Sequence, residues 1–296
     1  MSDPCTNPFG AKGAIWYNGD MKCTILLMAL FILSLMPLAL GQPGLNVAMR
    51  KMVYRVVVPV EEQSGKLILK EATGIMLLRT DSNLDKFIFL VLNKHAVVTD
   101  TVDGVEQYAD SLFLFNNHST SRGEVLSGPD HHTVYLKKSE SLLLPSHDVD
   151  VVLIALSTVY SDMKKGTNFV GLDYGTIVSA DRLPAILETG QLLTVIGYPG
   201  KGDAIQSRRS PEYRWGHILD HDSLSVWSDA PLIPGSSGSI CFASRNGVYV
   251  AVGIHDFNRY SGPPNAITVR AHFIPITWIV DEFDMDMKSF HRIKSD

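Results

Sequence analysis

From Tyr54 onward the chain is divided into short apolar runs of strand length, and this rhythm limits the possible folds more than any other feature. "YRVVVPV" begins at Tyr54, "GIMLL" at Gly74, "FIFLVLN" at Phe87, "SLFLF" at Ser111 and "VVLIAL" at Val151. "LLTVIGYP" follows at Leu192, "GHILDHDSLSVW" at Gly216, "SICFA" at Ser239, "VYVAVGI" at Val248 and "AITVRAHFI" at Ala266. These runs are rich in β-branched residues and separated by Gly, Asn or Asp, so they read as strands. Asn246-Gly247 lies between two of them and signals a hairpin, because both residue types tolerate the left-handed backbone of a two-residue turn. Only "ITWIVDEFDMDMKSF" from Ile276 has helical spacing, with Ile276, Ile279, Val280 and Phe283 on one face. Many short strands and one terminal helix predict an all-β barrel or sandwich, with the irregular stretch from Ser157 to Gly190 joining two halves.

The beginning of the chain is of another kind. Residues 23–40 read "CTILLMALFILSLMPLAL", with Lys22 before them and the small-x-small triplet Ala39-Leu40-Gly41 at their end. That is the pattern of a signal peptide, which could equally start at Met1 or Met21 and would leave a mature chain beginning at Gln42. The alternative is an uncleaved anchor, since the run is near the lower limit for spanning a bilayer. Either way the remainder is expected outside the cytoplasm, secreted or periplasmic, or exported on a membrane anchor. Residues 1–41 are thus read as extension and signal peptide and 42–290 as the folded domain. Within it one half covers about 50–160, the second about 190–275 and a helix about 276–290.

The three cysteines are Cys5, Cys23 and Cys241, so cleavage would leave one and exclude both an intrachain disulfide and a thiolate metal site. A hydrophobic content of 45% is enough for a sizeable core, and a net charge of −5 gives no electrostatic reason to expect nucleic acid.

The stretch "SDAPLIPGSSGSICF" from Ser228 to Phe242 sets serines among glycines between apolar runs. By itself it is a polar turn. It becomes a site if Ser237 has a base, and if the N–H groups of Gly235 and Ser237 converge as an oxyanion hole. Among ten histidines, His95 in "FIFLVLNKHAVVTD" is the best supported, at the end of a buried strand where a general base is fixed yet reachable. An orienting acid comes from "SHDVDVVLIALS", which offers Asp148 and Asp150. Asp150 is preferred because it directly precedes the buried run. His217 and His221 alternate along one strand and could join Asp222 around a metal, but this is not the favoured reading; neither metal nor cofactor is expected.

Taken together, these segments resemble the chymotrypsin-fold serine peptidases, above all bacterial trypsin-like enzymes such as the HtrA-type proteases. "LVLNKHAV" is similar to that family's strand into T-N-x-H-V-V, and "DVVLIAL" to its D-[VIL]-A-[VL]-[LI] strand. "VIGYPG" is similar to its G-[YN]-P turn, and "SDAPLIPGSSGS" to T-D-A-x-I-x-P-G-N-S-G-G. The resemblance runs from about Val53 to Phe283. It implies two six-stranded antiparallel β-barrels with a C-terminal α-helix, and a peptidase of protein or peptide substrates with the triad Ser237, His95 and Asp150. Ser236, Ser239 and Ile240 depart from the usual Asn or Asp, Gly and Pro. An esterase with the same triad, or a catalytically silent binding protein, are the competing expectations.

"GIHDF" from Gly253 is similar to the G-x-H segment of glutamyl endopeptidases and picornavirus-type main proteases. The likeness implies that His255 borders the pocket for the residue before the scissile bond and selects Glu or Gln there. Asp256 departs from the aromatic or small residue usual at its place.

Overall fold

The computed structural model describes residues 43–61, 65–80, 86–121, 124–136, 142–146, 148–156, 169–179, 181–200, 208–233, 235–245, 247–262 and 267–280. Contacts divide the chain into Met1–Asn46 and Val47–Asp296, and every described strand belongs to the second unit. The apolar run 23–40 and the processing site after it lie outside the described residues, as does His147. Among the described residues, no helix is long and apolar enough to cross a membrane.

Helix α1 (Pro43–Lys51) is a structured element that strand rhythm did not reveal. Its proline sits at the first helical turn, where no N–H is needed, and Arg50 and Lys51 lie in the last turn, where cations suit the helix dipole.

The first half of the second unit is a rolled sheet. Its strands are β1 (Val53–Glu61), β2 (Leu67–Thr80), β3 (Lys86–Leu92), β4 (Val98–Val102), β5 (Val105–Tyr108), β6 (Ser111–Ser119), β7 (Val125–Tyr135), β8 (Leu142–Pro145) and β9 (Val152–Ala155). The order is β7-β6-β1-β2-β3-β9-β8, with β10 (Leu172–Asp173) running parallel to the end of β2 and β4-β5 forming a separate hairpin. Alternate residues of successive strands face one interior, as the two-residue period of a strand requires. Val56 and Val58, Leu90 and Leu92, Leu112 and Leu114 therefore share a core with Val134 on β7 and Ile154 on β9. Strands near both ends of the sheet contribute to that core, so the sheet is curled around it. It is not closed, because β7 and β8 are not paired among the described residues. Of the two barrels expected, this one is an open sheet.

The second half is closed. Strands β11 (Leu192–Gly197), β12 (Glu212–His221), β13 (Val226–Ser228), β14 (Ile240–Arg245), β15 (Val248–Ser261) and β16 (Thr268–Pro275) form an antiparallel barrel in the order β11-β12-β13-β16-β15-β14. Leu193, Val195, Ile218, Val226, Val252 and Phe273 fill it together with Cys241, whose burial pushes the thiol pKa far up and leaves it inert. The expected hairpin joins β14 to β15: Arg245 pairs with Val248 and Gly247 has a φ of +79°, while Asn246 lies outside the described residues. The terminal helix begins at 276, with Ile276 and Ile279 buried, and its continuation lies outside the described residues. Two largely antiparallel halves followed by a helix match the chymotrypsin-like architecture, with one barrel closed.

Candidate active site

His95 does not continue β3. That strand ends at Leu92, and His95 stands in a single helical turn, α2 (Lys94–Val97), for which four residues leave no periodicity to read. The turn is bound to Asp150 by several hydrogen bonds. The fully buried Asn93 donates its side-chain amide to the Asp150 carbonyl at 3.1 Å, and Lys94 donates its backbone N–H to the same oxygen at 3.2 Å. The backbone N–H of His95 donates to Asp150 Oδ1 at 2.8 Å, while His95 Nδ1 bonds Asp150 Oδ2. Asp148 is engaged differently: its N–H donates to the Ser146 hydroxyl at 3.2 Å. Of the two acids weighed, Asp150 is the one joined to His95.

A carboxylate only accepts, so Nδ1 carries the proton and Nε2 is left as the free basic nitrogen. The His95 side chain is 53% exposed, which leaves that nitrogen accessible. The hydrogen bond to Asp150 raises the imidazole pKa. Burial and Lys70 oppose it, and the charges of Asp150 and Asp256 add to it.

The serine loop is pinned to the same elements. Thr73 on β2 donates to the Ser237 carbonyl at 3.1 Å, and Gly238 donates to the carbonyl of His255 at 3.0 Å. Gly238 has a φ of +82°, and a Cβ there would overlap the Thr73 carbonyl and reach contact with the Asn93 side-chain oxygen. Gly235, with a φ of +84°, packs against Gly200 so closely that a Cβ would strike its backbone. Both glycines are therefore dictated by close approach. Ser237 is thus held beside Thr73 and Asn93, and Asn93 in turn holds Asp150.

The donors of the loop alternate in use. Ser236 N–H bonds Ile233 at 3.1 Å, Gly238 bonds His255, and Ser239 bonds Ser236 at 3.0 Å. The N–H groups of Gly235 and Ser237 have no partner among the described residues.

His255 lies on β15 under this loop, with 2% of its surface exposed. Its backbone N–H donates to the Ser239 carbonyl at 2.7 Å, so β15 buttresses the loop directly. Its Nε2 meets Asn258 Oδ1 at 3.1 Å, and Asn258 is anchored by the Leu232 carbonyl at 3.1 Å. The Nε2 hydrogen is therefore committed to Asn258, a residue that sequence reasoning missed, while Nδ1 is buried without a partner. Burial holds the His255 pKa below the usual value, with Asn258 opposing, so the ring is neutral near pH 7.

Two further groups were not among the site residues read from the sequence. Asp256, the next residue on β15, places a carboxylate oxygen within 4.8 Å of a ring nitrogen of His95 and a carboxylate oxygen of Asp150. His95 is already bonded to Asp150, and Asp256 bonds His272 Nδ1 at 3.0 Å, so these donors are spent on one another and not on an open cation site. Behind Gly235, the turn at Pro199-Gly200 is held by Arg209, which donates to the Pro199 carbonyl and forms a 2.7 Å ion pair with Glu71. Arg55 bonds the other oxygen of Glu71 from within the core.

No protein-family model matches the sequence, and no curated protein matches it. A solved structure described as a thermostable serine protease from an extremophilic microorganism aligns over 77% of this chain and 92% of its own. Sequence identity is 12% and the TM-score 0.41. The chemistry of the site therefore rests on its own residues.

Proposed function

We propose that this chain is a serine endopeptidase acting through an acyl-enzyme. The observation that carries the reading is the pairing of His95 with Asp150, together with a glycine-flanked serine loop bonded to Thr73 and His255. In this reading Ser237 Oγ attacks the scissile carbonyl and passes its proton to His95 Nε2, while Asp150 stabilises the imidazolium that forms. The N–H groups of Gly235 and Ser237, with no internal partner among the described residues, take the negative charge on the carbonyl oxygen. The imidazolium then protonates the leaving amine, and water, activated by the same base, releases the acyl group. No cofactor enters these steps. Export through the N-terminal apolar run belongs to the same reading.

A fluorophosphonate probe tests it. Labelling of the wild type that disappears in Ser237→Ala is the expected result, and a folded wild type that stays unlabelled would leave a silent binding protein. Hydrolysis of esters without hydrolysis of peptides would make it an esterase.

The finer part of the proposal concerns specificity. In this reading His255 stands on the wall of the pocket before the scissile bond, and its Nε2 reaches a substrate side chain by exchanging Asn258 for it, since Nδ1 is buried. A glutamate carboxylate or a glutamine carbonyl can accept that hydrogen in place of Asn258, so Glu and Gln are the two side chains proposed there. His255→Val should then lower kcat/KM for Glu or Gln substrates by about 10²-fold. Small aliphatic substrates should change much less, since they make no use of the ring. A peptide-library profile dominated by Val, Ala, Arg or Lys would leave His255 a buttress only.

A further inference from the structure

The carboxylate of Asp256 has no place in a three-residue triad, yet an oxygen of it lies within 4.8 Å of a ring nitrogen of His95 and a carboxylate oxygen of Asp150. It is not a loose surface group. Asp256 and His272 each keep 14% of their side chains exposed and are joined at 3.0 Å. His272, on β16, packs into an aromatic cluster with Trp227 at 4.8 Å and Phe257 at 4.7 Å between ring centroids, and these two rings touch each other at 5.8 Å. The aromatic walls fix the ring, the ring fixes the carboxylate, and the carboxylate stands beside the base. We propose that Asp256, clamped by His272, is a second carboxylate partner of His95, a positioning residue that shares with Asp150 the stabilisation of the imidazolium. This deepens the peptidase reading and rests on it for its catalytic meaning.

The surrounding charges make the role specific. Asp150 meets His95 from the loop before β9, Lys70 on β2 acts on it in the opposite sense, and Lys94 beside it is tied to Glu106 at 2.9 Å. Tyr108 donates to the same Glu106 at 2.6 Å. On the far side of Asp256 stands His272, and beyond it Asp222 is occupied by the N–H groups of Leu224 and Ser225. Lys94 is thus largely neutralised, and Asp256 is the additional anion acting on His95. A negative charge beside an imidazole favours its protonated form, so removing that charge must lower the pKa of His95.

The decisive substitution is Asp256→Asn, which removes the charge but leaves an oxygen to accept from His272. Nitrogen-15 NMR of the full chain, with the His95 resonance identified by its loss in His95→Ala, reads the titration midpoint directly. The midpoint should move to lower pH in Asp256→Asn and stay in place in Asp148→Asn. The acid limb of kcat/KM should follow it downward, with a several-fold loss on the plateau because the base is weaker. Asp256→Ser, which keeps neither charge nor amide, should shift the midpoint in the same direction and secures the test if the asparagine variant is unstable. An unmoved midpoint in a folded variant overturns the proposal. If the midpoint moves but no peptidase activity exists, the proposed function fails while the second carboxylate stands. If activity is present and neither midpoint nor acid limb moves, the reverse holds.

Discussion

Ser237→Ala and His95→Ala are each expected to reduce peptidase activity by roughly 10⁴-fold or more, because nucleophile and base act as one unit. Asp150→Asn should do comparable damage although it alters only one atom pair. The carboxylate now accepts from Nδ1 and from the His95 backbone N–H. An amide in its place can present its NH₂ to Nδ1, which stabilises the tautomer with the proton on Nε2, where it cannot accept from Ser237. Asp148→Asn is the control: its contacts are with Ser146, and its effect should stay within a few-fold. Steady-state kinetics on one peptide substrate decide the matter. Near-full activity in Asp150→Asn would mean that the bonds from Asn93 and Lys94 to the Asp150 carbonyl position His95 without the carboxylate.

The strands that could be read in the sequence are those with a buried face. β9 is a fully apolar run, β3 is apolar after Lys86, β1 is buried along most of its length and β6 opens with an apolar stretch, so each carried its own signal. β4, β5 and β7 did not, for a physical reason: β4 and β5 are largely solvent-exposed, and β7 reads "VLSGPDHHTVY". Polar strands with Gly-Pro inside them look like loops until a partner strand pairs with them. The split of "GHILDHDSLSVW" into β12 and β13 was hidden in the same way, because the turn between them is made by the Asp222 carboxylate capping Leu224 and Ser225.

At the site, residue types in chain order pointed to His95, Asp150 and Ser237, and to Asp150 over Asp148. What order cannot show is who meets whom across strands. Asn258 was hidden inside β15, and Asp256 stood out only as a departure beside His255, because its partner His272 lies on another strand. Glu71 gave no signal at all. One of its arginine partners is 16 residues away and the other 138.

That unsignalled cluster should yield the largest effect on stability. The side chains of Arg55, Glu71 and Arg209 are 1%, 7% and 10% exposed, so Glu71 is a buried anion held between two cations. Burial pushes its carboxyl pKa up, but the hydrogen bonds and charges of Arg55 and Arg209 together outweigh that and hold it below the ordinary value. Glu71→Gln keeps the shape and removes the charge, so the buried Arg55 guanidinium over Phe115 loses the Glu71 carboxylate. Breaking such a network from one side costs about 3–5 kcal/mol, and a domain of this size should lose about 6–20 °C of Tm. The pH dependence has a definite sign. With a depressed folded pKa, the contribution of Glu71 is complete above the ordinary glutamate range and is lost as pH falls through the lower folded value. The Tm difference between wild type and Glu71→Gln should therefore be widest near neutrality and narrow in acid. Activity should suffer as well, because Arg209 links Glu71 to the Pro199 carbonyl and Gly200 packs against Gly235. A loosened turn displaces the Gly235 N–H, a donor needed only when charge develops on the substrate oxygen, so kcat should fall more than KM rises. A Tm unchanged across pH would show the cluster to be a solvated surface network. A lowered Tm with unchanged kcat would confine Glu71 to stability and separate it from the loop it is argued to support.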